Sequence, residues 1–133
     1  MPLTDNELIE RLRRNSEALN RGDFDAAMEM AHPDIVFVRP GGLPKLRGVD
    51  AVRAWMEPDA FESQRIELLD VEIEGNKVLT KQRTMARGAG SGIEMQIDSL
   101  IVWTFDEEGQ VTRVEAFLMQ DEEAARRAAG LAN

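Results

Sequence analysis

The sequence predicts an α+β fold in which a mainly antiparallel sheet packs against N-terminal helices. Apolar residues recur at helical spacing through most of the first 56 residues. From about residue 63 to residue 119 the pattern alternates as in β-strands, with short turns between the strands. Because short turns join antiparallel neighbours, we expect a meander, and the predicted element order is ααβαββββα in one domain of residues 1–133.

The first helix has a well-marked predicted start. Thr4 and Glu7 have the spacing of a capping box, so the helix is expected to begin at Asp5. Gly22 is expected to end it, because glycine readily adopts the left-handed conformation that stops a helix.

Caps and breakers predict the next elements. Asp23 is the expected cap of a short second helix, which cannot continue through Pro33. The apolar run at residues 35–38 predicts a strand, and a third helix is expected between Gly48 and Pro58.

The remaining chain predicts four strands and a last helix. The strands are expected at about residues 63–74, 78–87, 93–105 and 110–119. Asp121 is the expected cap of the final helix.

Composition limits the classes of partner. The 133 residues carry a formal net charge of −9, which opposes binding to nucleic acids and to anionic membrane surfaces. The absence of cysteine excludes disulfides, thiol catalysis and thiolate metal sites. Residues 1–5 lack a basic segment followed by an apolar stretch, so a cytoplasmic location is expected.

The element order and several motifs resemble the nuclear transport factor 2-like superfamily. The motifs are Gly22-Asp23-Phe24, residues 32–37 and residues 40–48, while residues 98–117 look like the final strands of SnoaL-like polyketide cyclases and ketosteroid isomerase-like proteins. The resemblance implies a cone-shaped α+β barrel, with a curved sheet wrapped around the helices and a deep pocket between them. It also implies a homodimer through the outer sheet face. Members of this superfamily include isomerases, cyclases, dehydratases, epoxide hydrolases and noncatalytic binding modules.

Positions that hold acids in these families hold other residues here. Arg39 stands where ketosteroid isomerases place a general-base aspartate, and Ile101 stands where they place an oxyanion-hole acid. The chain also has no tyrosine, which that oxyanion hole needs. Ala116 stands where SnoaL-like and limonene-epoxide-hydrolase-like proteins place an aspartate, with Glu115 adjacent. Because these residues differ from the family pattern, steroid isomerisation by a general base and an oxyanion hole is not expected.

Alternation predicts which side chains line the pocket. In residues 93–105 the odd positions form an apolar, inward face, on which Ser99 is a polar point near Ile101 and Trp103. Trp55 is a further candidate wall for a small apolar or aromatic ligand. The alternatives are a serine hydroxyl that is satisfied locally and tryptophans that simply pack in the core.

Charged candidates have both functional and structural explanations. Arg39, with polar groups from strand 78–87, could bind a carboxylate, phenolate or oxyanion, although surface solvation explains the same charges. The catalytic candidates are Glu115, Asp98 and the single histidine, His32, which is equally explained as a turn residue. No ligand spacing indicates a metal site, and no cofactor is expected.

Two functions remain open. The first is an enzyme without a cofactor that isomerises, cyclises, dehydrates or hydrolyses an apolar ring compound. The second is a noncatalytic ligand-binding or dimeric interaction domain. The apolar outer positions of the last strands predict either a homodimer interface or a surface covered by the terminal helix.

Overall fold

The computed structural model describes residues 3–56 and 61–131, without the side chains of Met56 and residues 61–63. The helices are α1 (Asp5–Asn20), α2 (Phe24–Ala27), α3 (Val49–Met56) and α4 (Glu122–Ala128). The strands are β1 (Ala31–Val38), β2 (Leu46–Arg47), β3 (Phe61–Glu74), β4 (Lys77–Gly88), β5 (Glu94–Phe105) and β6 (Val111–Leu118). The predicted element order is confirmed, with β2 added. Pro58, the predicted helix stop, lies outside the described residues.

All three predicted cap residues occupy N-cap positions, and two of them make the side-chain capping bond. Thr4 Oγ1 accepts the backbone N–H of Glu7 at 3.2 Å, and Glu7 Oε1 accepts that of Thr4 at 3.1 Å, which completes the capping box. Asp23 Oδ1 accepts a backbone N–H in the first turn of α2 at 3.0 Å. Asp121, in contrast, makes no side-chain capping bond to α4, because residues 119–121 form a 3-10 turn before the helix.

Within the described residues, six strands form one curved, unclosed sheet in the order β2-β1-β6-β5-β4-β3. Neighbouring strands are antiparallel except β1 and β6, which are far apart in the chain and run parallel. β6 pairs with β5 only as far as Leu118 opposite Ser99. Residues 94–98 of β5 therefore extend beyond the end of β6, with β4 as their partner strand.

Cross-strand pairing determines which side chains share a face of the sheet, because directly paired residues point to the same side. Trp103 pairs with Val78 of β4 and Val114 of β6, and these side chains pack with Leu8 and Leu12 of α1 in the main core. We call this side the inner face. On β4 and β5 it comprises Val78, Thr80, Gln82, Thr84, Ala86, Met95, Ile97, Ser99, Ile101, Trp103 and Phe105. On β3 and β6 it comprises Gln64, Ile66, Leu68, Val71, Ile73, Val114, Ala116 and Leu118. The predicted inward direction of the odd positions of β5 is confirmed.

The opposite, outer face has a smaller apolar core of its own. Leu100 and Val102 are buried in one cluster with Ala125 of α4. Arg126 of α4 donates from Nη1 to Glu72 Oε2 on β3 at 2.7 Å, which helps to hold the helix on the sheet. Of the two explanations for the outer apolar positions, coverage by the terminal helix is the one found in this structure.

Candidate functional site

Two residues that the resemblance singled out are paired on the inner face, and a third follows the end of the neighbouring strand β1. Ile101 pairs directly with Ala116. Arg39 follows Val38, which pairs with Glu115, so the backbone of Arg39 comes level with Ala116. The fold therefore brings together positions that are up to 77 residues apart in sequence.

The two tryptophans have different surroundings. Trp103 Nε1 donates to Thr80 Oγ1 at 3.0 Å, and Thr80 is fully buried, so this indole is a fixed part of the inner wall. Trp55 of α3 packs on Phe37 with ring centroids 4.8 Å apart at a tilt of 50°, and 48% of Trp55 remains exposed. Trp103 is thus part of the packed wall, while Trp55 offers an exposed aromatic surface.

Beyond this row the inner face opens to solvent. We call this part the trough and define it by six residues: Gln82, Thr84, Met95, Ile97, Ser99 and Leu118. Its apolar side chains are much more exposed than those of the core, at 40% for Met95, 54% for Ile97 and 41% for Leu118. Gln82 and Ser99 are directly paired between β4 and β5 and are partly buried. The trough therefore combines apolar surface with uncharged polar groups.

The inner face of β3–β6 carries no ionisable side chain among the described residues. Its polar members are amides and hydroxyls, which are Gln64, Thr80, Gln82, Thr84 and Ser99. The alternation of β4 and β5 sends their charged side chains to the outer face instead, including Lys81, Arg83, Arg87, Glu94 and Asp98. A ligand on the inner face of these strands meets apolar and neutral hydrogen-bonding groups.

Arg39 brings a cation to the end of β1. Its Nε and Nη2 donate to the carbonyl of Pro44 at 3.1 and 2.8 Å, and the side chain is partly buried. The loop after β1 thus fixes the guanidinium by two hydrogen bonds. Nη1 makes no hydrogen bond to the described residues and is available to a ligand.

Asp98 and Glu115 lie on the outer face. Arg83 donates from Nε and Nη2 to the two carboxylate oxygens of Asp98, at 2.9 and 3.2 Å. The hydrogen bond from Arg83 lowers the pKa of Asp98 below its ordinary value. Glu115 Oε1 accepts from Arg113 Nε at 3.1 Å. Both candidate acids are therefore ion-paired on the side of the sheet away from the trough.

His32 lies near the start of β1, whereas Arg39 follows its end. His32 Nδ1 accepts the backbone N–H of Asp34 at 3.0 Å, a local turn interaction. The structure brings Ser99, Ile101, Trp103 and Ala116 together on the inner face, and Arg39 follows the end of β1. It does not bring Asp98, Glu115 or His32 to that group.

The cavities are unlike the deep pocket that the resemblance implied. A cavity of about 30 Å³ between α2, α3 and the inner face, lined by Phe37 and Trp103 among others, holds about one water molecule. A larger, open depression of about 690 Å³ lies at the end of β3–β5 that extends beyond β6. Its lining comes from both faces of the sheet: Gln64, Ala86 and Met95 from the inner face, and Arg65, Met85, Arg87, Glu94 and Gln96 from the outer face. The cavity between the helices and the inner face is therefore much smaller than the deep pocket that the resemblance implied.

Leu118 was not predicted for the site, and the polar groups expected there from strand 78–87 were not narrowed to Gln82. The signal that could find Gln82 is the hairpin register, since a turn centred between residues 90 and 91 pairs Gln82 with Ser99. The glycine-rich sequence of residues 88–92 does not determine the position of this turn to within one residue. A shift of one residue would move a side chain to the other face of the sheet.

Metal-binding and membrane-spanning features are absent from the described ranges. No three His, Asp or Glu side chains in residues 3–56 and 61–131 lie close enough together to hold a metal ion. None of the helices in these ranges has both the length and the apolar character that a membrane crossing requires.

Comparison with known proteins gives one family match and several similar folds. The profile of the SnoaL-like domain matches residues 12–114. No curated protein matches the chain significantly. SalBIII, an epoxide hydrolase/cyclase-like enzyme with a role in pyran ring formation in the polyether salinomycin, has 20% identity and a TM-score of 0.78, covering 88% of this chain and 95% of SalBIII.

Two further solved structures span nearly the whole chain. A protein from Jannaschia sp. CCS1, which carries the name SnoaL-like polyketide cyclase, has 17% identity and a TM-score of 0.76, covering 100% of this chain and 99% of that one. An NTF2-like protein of unknown function from Burkholderia pseudomallei K96243 has 18% identity and a TM-score of 0.74, covering 92% and 96%. At such identities the likeness concerns the fold.

Proposed function

This chain belongs to the SnoaL-like domain family, and we propose that it binds a small, uncharged, largely apolar ring compound in the trough without acid–base catalysis. The composition of the inner face carries this proposal: on β3–β6 the described side chains are apolar, amide or hydroxyl, and none is ionisable. General acid–base catalysis needs a titrating group within hydrogen-bond reach of the substrate. Carboxamides and aliphatic hydroxyls do not titrate near neutral pH.

The exposed surface of the trough supports an apolar ligand. Met95 leaves 40% of its surface exposed in the trough. Ile97 and Leu118 are also largely exposed. Covering these side chains with a ligand removes apolar surface from water, which stabilises a complex by about 25 cal/mol per Å².

The proposed site continues from the trough into the row beside it. Ile101, Trp103 and Ala116 form its apolar floor and Ser99 is a polar point on it. Trp55 supplies an aromatic side wall and Arg39 a cationic rim. The remaining residues of the single domain, 1–133, are proposed to support this site.

A pair of matched substitutions tests the location. Met95 in the trough and Leu69 on β3, outside the trough, are both 40% exposed, so a glutamate at either position costs the fold about equally. Met95→Glu is expected to abolish the stabilisation of the protein by apolar ring compounds in a thermal-shift screen, and Leu69→Glu to retain it. Equal loss in both variants, or in neither, would contradict binding in the trough.

A second candidate function is an enzyme that acts on the same class of compound. It is favoured by the fold likeness to SalBIII and to the Jannaschia protein, whose names denote cyclase chemistry. In that case Arg39, through its free Nη1, would stabilise a developing oxyanion. Product analysis after incubation with a bound ring compound decides between the candidates: turnover that Arg39→Met removes favours the enzyme, and recovery of unchanged ligand favours binding.

A homodimer and a cytoplasmic location are further parts of the proposal. Because α4 already covers Leu100 and Val102, the outer patch does not require a partner, and a dimer would use the part of the outer face that α4 leaves uncovered. Sedimentation at micromolar concentration tests the dimer, and a monomer there would contradict it. Fractionation of the source cells tests the location.

A further inference from the structure

We propose that Gln82 and Ser99 act together as the specificity-determining pair, by hydrogen bonding to a neutral carbonyl or hydroxyl group on the ligand. This inference rests on the proposed binding of a ligand in the trough. It adds a chemical class to that ligand: a ring compound that is apolar except for an uncharged oxygen function.

The position of the pair within the sheet supports a joint role. Gln82 and Ser99 are directly opposed between β4 and β5, so their Cβ atoms are about 4.5–5.5 Å apart. The same row continues with Leu68 on β3 and with Leu118 on β6. Two polar side chains thus lie between apolar neighbours on both sides, which confines hydrogen bonding on this row to one spot.

The neighbouring row provides a contrast. One pair further into the core, Thr80 is satisfied by Trp103, whose Nε1 donates to its Oγ1 at 3.0 Å. Gln82 and Ser99 are partly buried, yet neither side chain makes a hydrogen bond to any of the described residues. Their hydrogen-bonding groups therefore face space that water fills when the trough is empty.

A wholly apolar ligand would displace that water without replacing its hydrogen bonds, and unmade hydrogen bonds reduce affinity. Gln82 offers two N–H donors and one carbonyl acceptor, and Ser99 offers one O–H donor and acceptor lone pairs. Together they can donate two hydrogen bonds to one carbonyl oxygen, or exchange hydrogen bonds with a hydroxyl.

The charges around Gln82 and Ser99 favour a ligand group that is neutral. The row of Gln82 and Ser99 carries no cation, and Arg39 lies level with Ala116, one row away, with two of its nitrogens bonded to Pro44. A carboxylate placed between Gln82 and Ser99 would lose part of its hydration with no cation in the same row, which costs more than the partial desolvation of a ketone or alcohol.

Calorimetry with three ring compounds of similar size tests the inference: tetralin, 1-tetralone and 2-naphthoate. The intact protein is expected to bind 1-tetralone about tenfold more tightly than tetralin, which corresponds to about 1.4 kcal/mol and to one or two net hydrogen bonds. The double variant Gln82→Leu/Ser99→Ala should lose this tenfold preference while binding tetralin at least as tightly. Thr104→Val, which removes a hydroxyl on the outer face of β5, should keep the preference.

Three results would overturn the inference. The first is a preference for 1-tetralone that survives in the double variant. The second is tightest binding of 2-naphthoate with loss of that binding in Arg39→Met, which would assign recognition to an anion and to Arg39. The third is absence of binding by all three compounds to a folded wild-type protein. The third result would also remove the proposed function, and the second would contradict its uncharged ligand, whereas the first would leave it standing.

Discussion

Asn20 closes part of the long edge of the sheet, so its replacement should weaken the fold by a measurable amount. β3 is an edge strand of 14 residues, and an edge strand exposes backbone N–H and C=O groups. Asn20, the last residue of α1, satisfies both groups of one residue. Its Oδ1 accepts the N–H of Ile66 at 2.7 Å, and its Nδ2 donates to the Ile66 carbonyl at 3.0 Å. The carboxamide thus replaces a neighbouring strand at this point.

Asn20→Ala removes both hydrogen bonds. Each is worth about 0.5–1.5 kcal/mol net, and because this pair is exposed we expect a loss of about 1–2 kcal/mol in total. Alanine is the better helix former by about 0.5 kcal/mol, which leaves a decrease of about 0.5–1.5 kcal/mol in the free energy of unfolding. Asn6→Ala is the matched control, since Asn6 is exposed in the same helix and makes no side-chain hydrogen bond to the described residues.

Urea unfolding measures the stability difference, and hydrogen exchange reports on the amide of Ile66 directly. Asn20→Ala should speed exchange of that amide, while Asn20→Asp should protect it, because a carboxylate can still accept its N–H. Asn6→Ala should leave stability unchanged or raise it by a few tenths of a kcal/mol. If Asn20→Ala and Asn6→Ala have the same unfolding free energy and the Ile66 amide exchanges at the wild-type rate, the edge contact does not exist in solution.

Three further predictions concern the two faces of the sheet. Thr80→Val should lower the free energy of unfolding by about 1–3 kcal/mol, because it leaves the N–H of Trp103 without an acceptor, whereas Thr80→Ser should cost less; equal losses in chemical denaturation would contradict that role of the hydroxyl. The hydrogen bond from Arg83 lowers the pKa of Asp98 in the folded state. The ion pair therefore contributes to stability above the ordinary carboxyl pKa of about 4, and this contribution is lost as the pH falls through the lowered pKa of Asp98. The stability difference between wild type and Arg83→Met should therefore be constant near neutral pH and shrink below about pH 4, and a difference that is unchanged at pH 2 would refute it. Ala125→Arg should detach α4, because Ala125 is fully buried against the outer face, and it should increase binding of a hydrophobic dye while an exposed substitution such as Glu123→Arg does not.

Local features of the sequence predicted most of the elements. The capping box of Thr4 and Glu7 and the cap at Asp23 act within one helical turn, so they are readable without knowledge of distant contacts. The alternation in β5 likewise predicted which of its side chains face inward. Asp121 is the N-cap residue of α4, as predicted, but residue type alone does not reveal that a 3-10 turn precedes it and that its side chain makes no capping bond.

The site depended on information that no local pattern contains. Gln82 stood out among the polar groups of strand 78–87 only through its pairing with Ser99, and Arg39 came near Ala116 only through the parallel pairing of β1 with β6. Sequence alternation does assign Asp98 and Glu115 to the faces opposite Ser99 and Ala116, but the structure was needed to identify their arginine partners. The volume left between the helices and the sheet was equally beyond prediction, because it depends on how many side chains pack together.

The chain thus encodes its helices, strands and inward-facing positions in short-range patterns of caps, breakers and alternation. The neutral character of the trough and the contact between Asn20 and Ile66 arise from pairs that lie 17 and 46 residues apart. Side-chain alternation has a period of two residues, so a shift of one residue in strand register exchanges the inner and outer faces. Such registers follow from the packing of all the strands and helices together, which is why the fold was predictable before the site.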